Sequence, residues 1–188
     1  MKQFDRQVVL DAAVQVFWRK GYEATSIQDL EQATGLGRGS LYNAFGGKIA
    51  LFLEVLDRYR RTESETLLRH LQNPDVFVGL HFMLTSIVER MHQPDRPPGC
   101  LMTNSCLELG DANISVVIRN GLEAMRGEFE SAFLRARQAG QIQSHTDVRA
   151  LADFFCAIVK GLGVLHKSLN DRRVLESVVK VALASWPR

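Results

Sequence analysis

The sequence predicts an all-α protein of about nine helices. Apolar residues recur at intervals of three and four along almost the whole chain, and no stretch keeps the strict apolar–polar alternation of a half-buried strand. The hydrophobic content of 46% in 188 residues is ample for a buried core. No run reaches the roughly 18 uncharged apolar residues of a membrane span, and residues 1–6 do not resemble a signal peptide. We therefore expect a cytoplasmic globular protein.

The first two helices are predicted from their apolar stripe and their end signals. A helix over about residues 5–19 places Val9, Ala13 and Phe17 on one side, and Gly21 follows as a stop. The second helix begins at Thr25 or Ser26, where a hydroxyl can accept from exposed backbone N–H groups. Asp29, three residues after Ser26, completes a capping-box pattern.

A glycine turn then leads into a third short helix. Gly35 can adopt the positive φ of the turn, and Leu41 and Phe45 anchor the next helix to the core. With those two positions directed inward, four polar residues of the same helix must lie on or near its outer side: Arg38, Ser40, Tyr42 and Asn43. This arrangement predicts a helix-turn-helix that reads DNA.

Charge supports this prediction only locally. The formal net charge is +2, and the first 48 residues carry six basic against five acidic side chains. Between Thr34 and Lys48, however, there are two bases and no acid, so the surface of the third helix is predicted to be positive. The DNA prediction thus depends on geometry more than on overall basicity.

The rest of the chain reads as helices separated by two clear breaks. The breaks are Asn73-Pro74-Asp75 and the loop of residues 93–99. The predicted segments are a long helix from about 48 to 71, a helix ending near His92, a buried apolar stretch over 100–109, and an amphipathic helix over 113–139.

The last two helices, about 147–169 and 171–186, are apolar around most of their circumference. Such helices are buried on several sides, which predicts a homodimer through this pair. The alternative is that both helices are central to the monomer. We expect a DNA-binding domain over residues 1–47 and an effector-binding and dimerisation domain over 48–188.

These residues resemble a known family. The segment YEATSIQDLEQATGLGRGSLYNAFGGK follows a helix that ends in FWRKG, and together they resemble the N-terminal domain of the TetR family of bacterial transcriptional regulators. The resemblance covers about Val8 to Leu56. A weaker likeness, GCLMTNSCLELG at Gly99 to Gly110, is to a segment of one subset of the family's C-terminal domains. The resemblance implies a homodimeric repressor whose first three helices bind DNA and whose remaining helices hold an effector.

The resemblance also implies roles for single residues. Thr25, Ser40 and Lys48 match positions that contact phosphates, and Arg38, Gly39, Tyr42 and Asn43 match recognition-helix positions that meet bases or backbone. This chain departs from the family at three positions: Glu31 stands where alanine is usual, Gly37 where serine or threonine is usual, and Asn43 where histidine is frequent.

The chemistry of these side chains suits double-stranded DNA. Arg38 can donate two parallel hydrogen bonds to a guanine edge, and Asn43 can pair in the same way with adenine, each discrimination being worth about 1–3 kcal/mol. Tyr42, like Ser40 and Lys48, is expected to hold the phosphate backbone. Two alternatives stay open: the Tyr42 ring packs against the first helix, and Arg38 is a solvated charge. Two symmetric recognition helices predict an inverted-repeat operator.

A regulator of this layout is expected to bind a small, mostly hydrophobic effector. The predicted pocket residues share apolar or aromatic character: Phe77, His81, Met102, Phe129, Phe133, Phe155 and Leu162. The alternatives are ordinary core packing for these residues, and a DNA-binding module that takes no small-molecule input.

Three cysteines, Cys100, Cys106 and Cys156, lack the spacing of a zinc site, so reduced thiols are expected and no metal is predicted. Cys100 is a possible redox or electrophile sensor, because a helix start and the nearby Arg96 favour a thiolate. The alternative is an inert buried thiol.

No enzyme is predicted. The five histidines are dispersed, and no HExxH, GxSxG or phosphate-loop motif is present. Glu108, His81 and Cys100 would assemble only by coincidence. We therefore assign no catalytic residue and no cofactor.

Overall fold

The computed structural model describes residues 4–106 and 111–188. Within those ranges the chain is helical and has no strand. The α-helices are α1 Arg6–Lys20, α2 Ile27–Thr34, α3 Arg38–Phe45, α4 Lys48–Tyr59, α5 Glu65–Leu68, α6 Val76–Met91, α7 Leu101–Cys106, α8 Ala112–Gln138, α9 Val148–Leu169 and α10 Arg172–Ala184. The all-α prediction is confirmed.

The segment predicted as one long helix changes pitch along its length. A π-helical stretch, Arg60–Ser64, joins α4 to the single turn α5, and a 3₁₀ stretch, Arg69–Gln72, follows. Counting residues 48–72 as one irregular helix gives nine helices in the described part of the chain. The sequence pattern does not reveal this change, because a π turn and a 3₁₀ turn each differ from an α turn by less than about one residue.

The predicted helix ends are confirmed where side chains form caps. Ser26 and Asp29 form the capping box of α2: the Asp29 N–H donates to Ser26 Oγ at 3.1 Å, and the Ser26 N–H donates to Asp29 Oδ2 at 2.9 Å. Gly35 ends α2 with φ 67°, in the left-handed region that glycine tolerates. Asp75, the last residue of the predicted break, caps α6 by accepting from the Val78 N–H.

The described residues form two compact units. One consists of the described residues within 1–63 and 101–118, and the other of residues 64–100 and 119–188. The aromatic core of the first joins α1 to α4, where Phe17 lies 4.7 Å from Phe52 and Trp18 lies 4.8 Å from Tyr59, between ring centroids. A domain boundary at residue 47 stays a prediction.

The core of the second unit centres on three fully buried rings. They are Phe129, Phe133 and Phe155. The distances between ring centroids are 5.7 Å for Phe129 and Phe133, 6.1 Å for Phe129 and Phe155, and 5.6 Å for Phe133 and Phe155. Leu162 is fully buried in the same core. Among the helices searched, none is long and apolar enough to cross a membrane.

Some predictions fall on residues 107–110. Glu108 lies outside the described residues. The same is true of the last residues of the predicted apolar stretch and of the Gly99–Gly110 segment. Residues 101–105, within that stretch, are buried as predicted.

Candidate nucleic-acid interface

The surface of α3 separates into a buried and an exposed side. Leu41 is 3% and Phe45 6% exposed, and both belong to the core. Four polar residues of the same helix are exposed, as predicted: Arg38, Ser40, Tyr42 and Asn43. We call these four residues the recognition face. Its side chains can donate and accept hydrogen bonds without disturbing the core.

Two members of the recognition face contact each other. The Arg38 guanidinium carbon lies 5.6 Å from the centroid of the Tyr42 ring, within cation–π range. An added Cβ at Gly47 would lie 3.7 Å from Tyr42 Cε1, so the ring extends toward the turn between α3 and α4. With 42% of its surface exposed, Tyr42 is available to a phosphate.

The N-terminus of α3 is capped from the preceding helix. Gly37 occupies the N-cap position and offers no side chain, but Glu31 Oε1 accepts from the Arg38 N–H at 2.5 Å. Helix starts leave backbone N–H groups unsatisfied, and a carboxylate there is also favoured by the helix dipole. Two departures from the family pattern, Glu31 and Gly37, therefore compensate each other.

Gly39 has no packing role in the chain. A Cβ at this position would meet no atom within 4 Å, and Gly39 does not have a positive φ. A glycine inside a helix costs about 0.5–1 kcal/mol relative to alanine. The absence of a side chain leaves a flat surface beside Arg38, which favours close approach by a ligand backbone.

Thr25 lies in the connection between α1 and α2, and Lys48, the first residue of α4, reaches the same connection. Thr25 is 1% exposed and its hydroxyl donates to the Gly21 carbonyl at 2.6 Å. A phosphate contact by Thr25 would therefore come from its main chain. The Lys48 ammonium lies 4.4 Å from the Tyr22 ring centroid and donates to the Glu23 carbonyl at 3.4 Å. Burial raises the pKa of Tyr22, so its hydroxyl stays neutral beside this cation.

Arg6, on α1, contacts both α3 and α4. Its guanidinium donates to the Ala44 carbonyl at 2.9 Å and to Glu54 at 2.6 and 2.8 Å, and lies 4.2 Å from the Phe45 ring centroid. A second bidentate pair, Arg58 with Asp11 at 2.8 and 2.9 Å, joins α4 to α1. The sequence does not predict the contacts of Arg6 or the cap by Glu31. The partners in these contacts are separated by 7 to 48 positions along the chain, and no local sequence pattern links them.

The predicted pocket residues occupy three different places. Phe77 and His81 line an open groove beside α6. Phe129, Phe133, Phe155 and Leu162 are in the core of the second unit, whereas Met102, 4% exposed, belongs to the first unit. Their role in binding an effector stays a prediction.

The three thiols differ in their surroundings, and no disulfide joins them. Cys100 is half-buried and directly precedes α7, as expected from the sequence. Burial raises the pKa of Cys156 to about 11, so that thiol stays protonated at neutral pH. The described residues contain no cluster of three or more histidine, cysteine or acidic side chains suited to a metal.

Comparison with known proteins decides the family. Residues 9–55 match the family "bacterial regulatory proteins, tetR family", and residues 79–182 match a "tetracyclin repressor-like, C-terminal domain". The chain belongs to the TetR family. The fold is thus that of this family of transcriptional regulators, and the resemblance seen in the sequence is confirmed.

TetR-family relatives match this chain over nearly its full length. The HTH-type transcriptional repressor ComR of Escherichia coli (strain K12) is 35% identical over 99% of this chain and 90% of its own. The repressor DhaR of Mycobacterium sp. (strain GP1) is 28% identical over 94% and 89%.

A solved TetR-family structure has the same fold over its whole length. A cysteine mutant of the regulator CifR, complexed with 26 bp double-strand operator DNA, superposes with a TM-score of 0.91 at 31% identity, covering 100% of both chains.

Proposed function

We propose that this TetR-family regulator is a homodimeric repressor that binds an inverted-repeat operator, one α3 helix per half-site, and is released by a small effector. The observation that carries the DNA part is the recognition face: four exposed polar side chains on a helix whose other side is fixed by Leu41 and Phe45. A helix presented in this way fits the major groove. The complex of the relative CifR with operator DNA supports the proposal.

The side chains are proposed to contact the operator in two ways, at base edges and at phosphates. Arg38 and Asn43 carry the paired donors and acceptors that distinguish guanine and adenine edges. Ser40, Tyr42 and Lys48, with the flat surface at Gly39, hold the phosphate backbone and set the register. The main chain at Thr25 contributes at the start of α2.

The exposed apolar residues of α9 and α10 support the homodimer. Phe154, Val164 and Val181 are 38%, 45% and 68% exposed. On α10, Val174, Val178 and Val181 recur at intervals of four and three, and therefore share one side. An added Cβ at Gly161 on α9 meets nothing within 4 Å. Pairing this surface with its symmetry mate makes a four-helix bundle, the arrangement that buries two such pairs.

The dimer is tested by replacing one exposed residue. Val181→Lys places a charge in the proposed interface, and we expect light scattering during gel filtration to show a monomer where the unchanged chain is a dimer. Val116→Lys, at a residue 50% exposed on α8, is the matched control and should remain dimeric. If Val181→Lys and Val116→Lys are both monomeric, or both dimeric, the result contradicts an interface at α10.

Release by an effector requires two conformations. A ligand that binds better to the conformation whose recognition helices do not fit successive major grooves shifts the population away from DNA. The names of the relatives ComR and DhaR, both repressors, support repression as the activity that is relieved.

The DNA proposal is tested with duplexes selected from a random library by the purified protein. Fluorescence anisotropy should show an inverted repeat bound at least ~10³-fold more tightly than random duplex at physiological salt. Arg38→Ala should lose about 1–3 kcal/mol on the selected duplex and little on random DNA. Arg149→Ala, an exposed arginine at the start of α9, is the control. No preference for any duplex would overturn the proposal.

A second candidate is regulation through a thiol, favoured by the half-buried position of Cys100 before α7. Mass spectrometry after mild electrophile treatment of the native protein would show modification of Cys100. Cys156, with its raised pKa, serves as the internal control. An unmodified Cys100 would eliminate this candidate.

A further inference from the structure

A groove of about 660 Å³ lies between α6 and α10. Its size falls in the range of about 300–1,000 Å³ typical of small-molecule sites. Phe77 contacts Trp186 at one end of the groove, and Glu89 acts electrostatically on Arg172 at the other. The two helices therefore run antiparallel, and the groove has two chemically different ends.

One end is aromatic and rigid. The rings of Phe77 and Trp186 are 5.8 Å apart, and Trp186, 6% exposed, is itself held by Phe133 at 5.5 Å. Since Phe133 belongs to the buried core, this end of the groove is preformed, and the apolar Leu183 continues its wall. A flat or branched apolar group can lie there without ordering any side chain.

A cation is held over this aromatic surface. The Arg188 guanidinium carbon lies 4.6 Å from the Phe77 ring centroid. The main chain here is fixed by Gln143, whose Nε2 donates to the Arg188 carbonyl at 2.8 Å and whose N–H donates to the Pro187 carbonyl at 3.1 Å. The guanidinium is thus positioned rather than loose in solvent.

The charges of the groove are not balanced. Arg172 is paired with Glu176 at 2.7 Å. Lys180 and Arg188 also line the groove, and neither forms an ion pair with any residue in the described ranges. Glu89 is the other acidic residue of the lining, so the groove carries three basic against two acidic side chains. Two cations without an ion-pair partner beside an apolar surface complement an anion that carries an apolar body.

The groove stays accessible in the proposed dimer. At about 100° per residue, Val174 and Val181 lie about 140–160° around α10 from Glu176. The exposed apolar side of α10 and the groove side therefore face nearly opposite directions, and both can be occupied at once.

We propose that the α6/α10 groove binds a small amphipathic organic anion, an aromatic or branched carboxylate. Its carboxylate accepts from Arg188 and Lys180, and its body lies on Phe77, Leu183 and Trp186. This inference rests on the proposed effector response and names the chemical class of the effector. Of the seven pocket residues predicted from the sequence, Phe77 and His81 line this groove. An effector role for the other five stays a prediction.

The test is isothermal calorimetry of the full chain with 1-naphthoate and with its neutral counterpart 1-naphthamide, at low ionic strength. We expect the carboxylate to bind at least ~10-fold more tightly than the amide, a difference of about 1.4 kcal/mol. Lys180→Gln and Arg188→Gln should each remove most of that difference while leaving amide binding unchanged. Arg173→Gln, an exposed arginine of α10 outside the groove, should have no effect.

Equal binding of the two compounds, no binding of either, or loss of discrimination in Arg173→Gln would each overturn the proposal. The variants change exposed side chains, and thermal melts verify that they are folded. Operator binding is measured on the same preparations. A groove that fails this test with operator binding intact refutes only the ligand site, whereas loss of operator preference in the unchanged chain refutes the DNA proposal.

Discussion

The carboxylate of Glu31 accepts a hydrogen bond from the main-chain N–H of Arg38, and in this way α2 caps the helix that carries the recognition face. The contact links the position of α3 to that of α2 across the Gly35 turn. It also places a negative charge beside the surface proposed to meet phosphates.

Removing this cap should destabilise the first compact unit. Glu31→Ala is expected to lower the free energy of unfolding by about 1 kcal/mol, the usual value of a helix cap, because the Arg38 N–H loses its acceptor. Denaturant unfolding measures the change. Gln32→Ala, an exposed neighbour on α2, is the control. Equal stability of the Glu31→Ala variant and the unchanged chain would show that the cap contributes nothing.

Gly39→Ala should separate stability from DNA binding. The new methyl group meets no atom of the chain, so stability should rise by up to about 1 kcal/mol. Affinity for the operator should fall, since the methyl group occupies space proposed for DNA. Gly127→Ala on α8, which also meets nothing within 4 Å, should raise stability without changing anisotropy titrations. Unchanged operator affinity in Gly39→Ala would remove Gly39 from the interface.

Lys48→Gln should weaken binding to all duplexes alike. If the ammonium leaves Tyr22 and the Glu23 carbonyl to contact a phosphate, its loss should reduce the slope of log K against log salt by about one. Lys167→Gln, on exposed α9 surface, gives the reference slope. An unaltered slope would mean that Lys48 stays with its intramolecular partners.

Stability should depend on pH through His166. Its Nδ1 accepts from the Gly99 N–H at 3.0 Å, which requires that nitrogen to be unprotonated. Burial, and then the neighbouring His92, lower the pKa of His166 below its ordinary value of 6.5, with Arg96 acting in the same direction and Asn170 against it. The unfolded chain therefore takes up the proton first. The free energy of unfolding is therefore highest above about pH 6.5, where His166 is neutral in both states. It decreases as the pH falls below about 6.5.

Thermal melts at pH 7.5, 6.5 and 5.5 test this expectation. His166→Asn keeps an acceptor near the same place and cannot titrate, so its melting temperature should change less over this range. His145→Asn, at an exposed connection, should retain the full dependence. Identical pH profiles for all three chains would exclude His166 as the source.

The predicted features that the structure confirms depend on local rules. The capping box at Ser26, the positive φ of Gly35 and the outward direction of Arg38 and Asn43 follow from spacing along a single helix or turn, and are therefore readable from neighbouring residues.

Contacts between distant segments were decided by tertiary structure alone. Glu31 departs from the family pattern, yet it supplies the cap that Gly37 lacks, because folding brings its carboxylate to the Arg38 N–H. The groove is the clearest case: Phe77 and Arg188 are at opposite ends of the second unit's sequence, and only the antiparallel packing of α6 and α10 places the guanidinium over the ring. Apolar periodicity specifies which side of each helix is buried, but not which helix it meets, since the hydrophobic effect is non-directional.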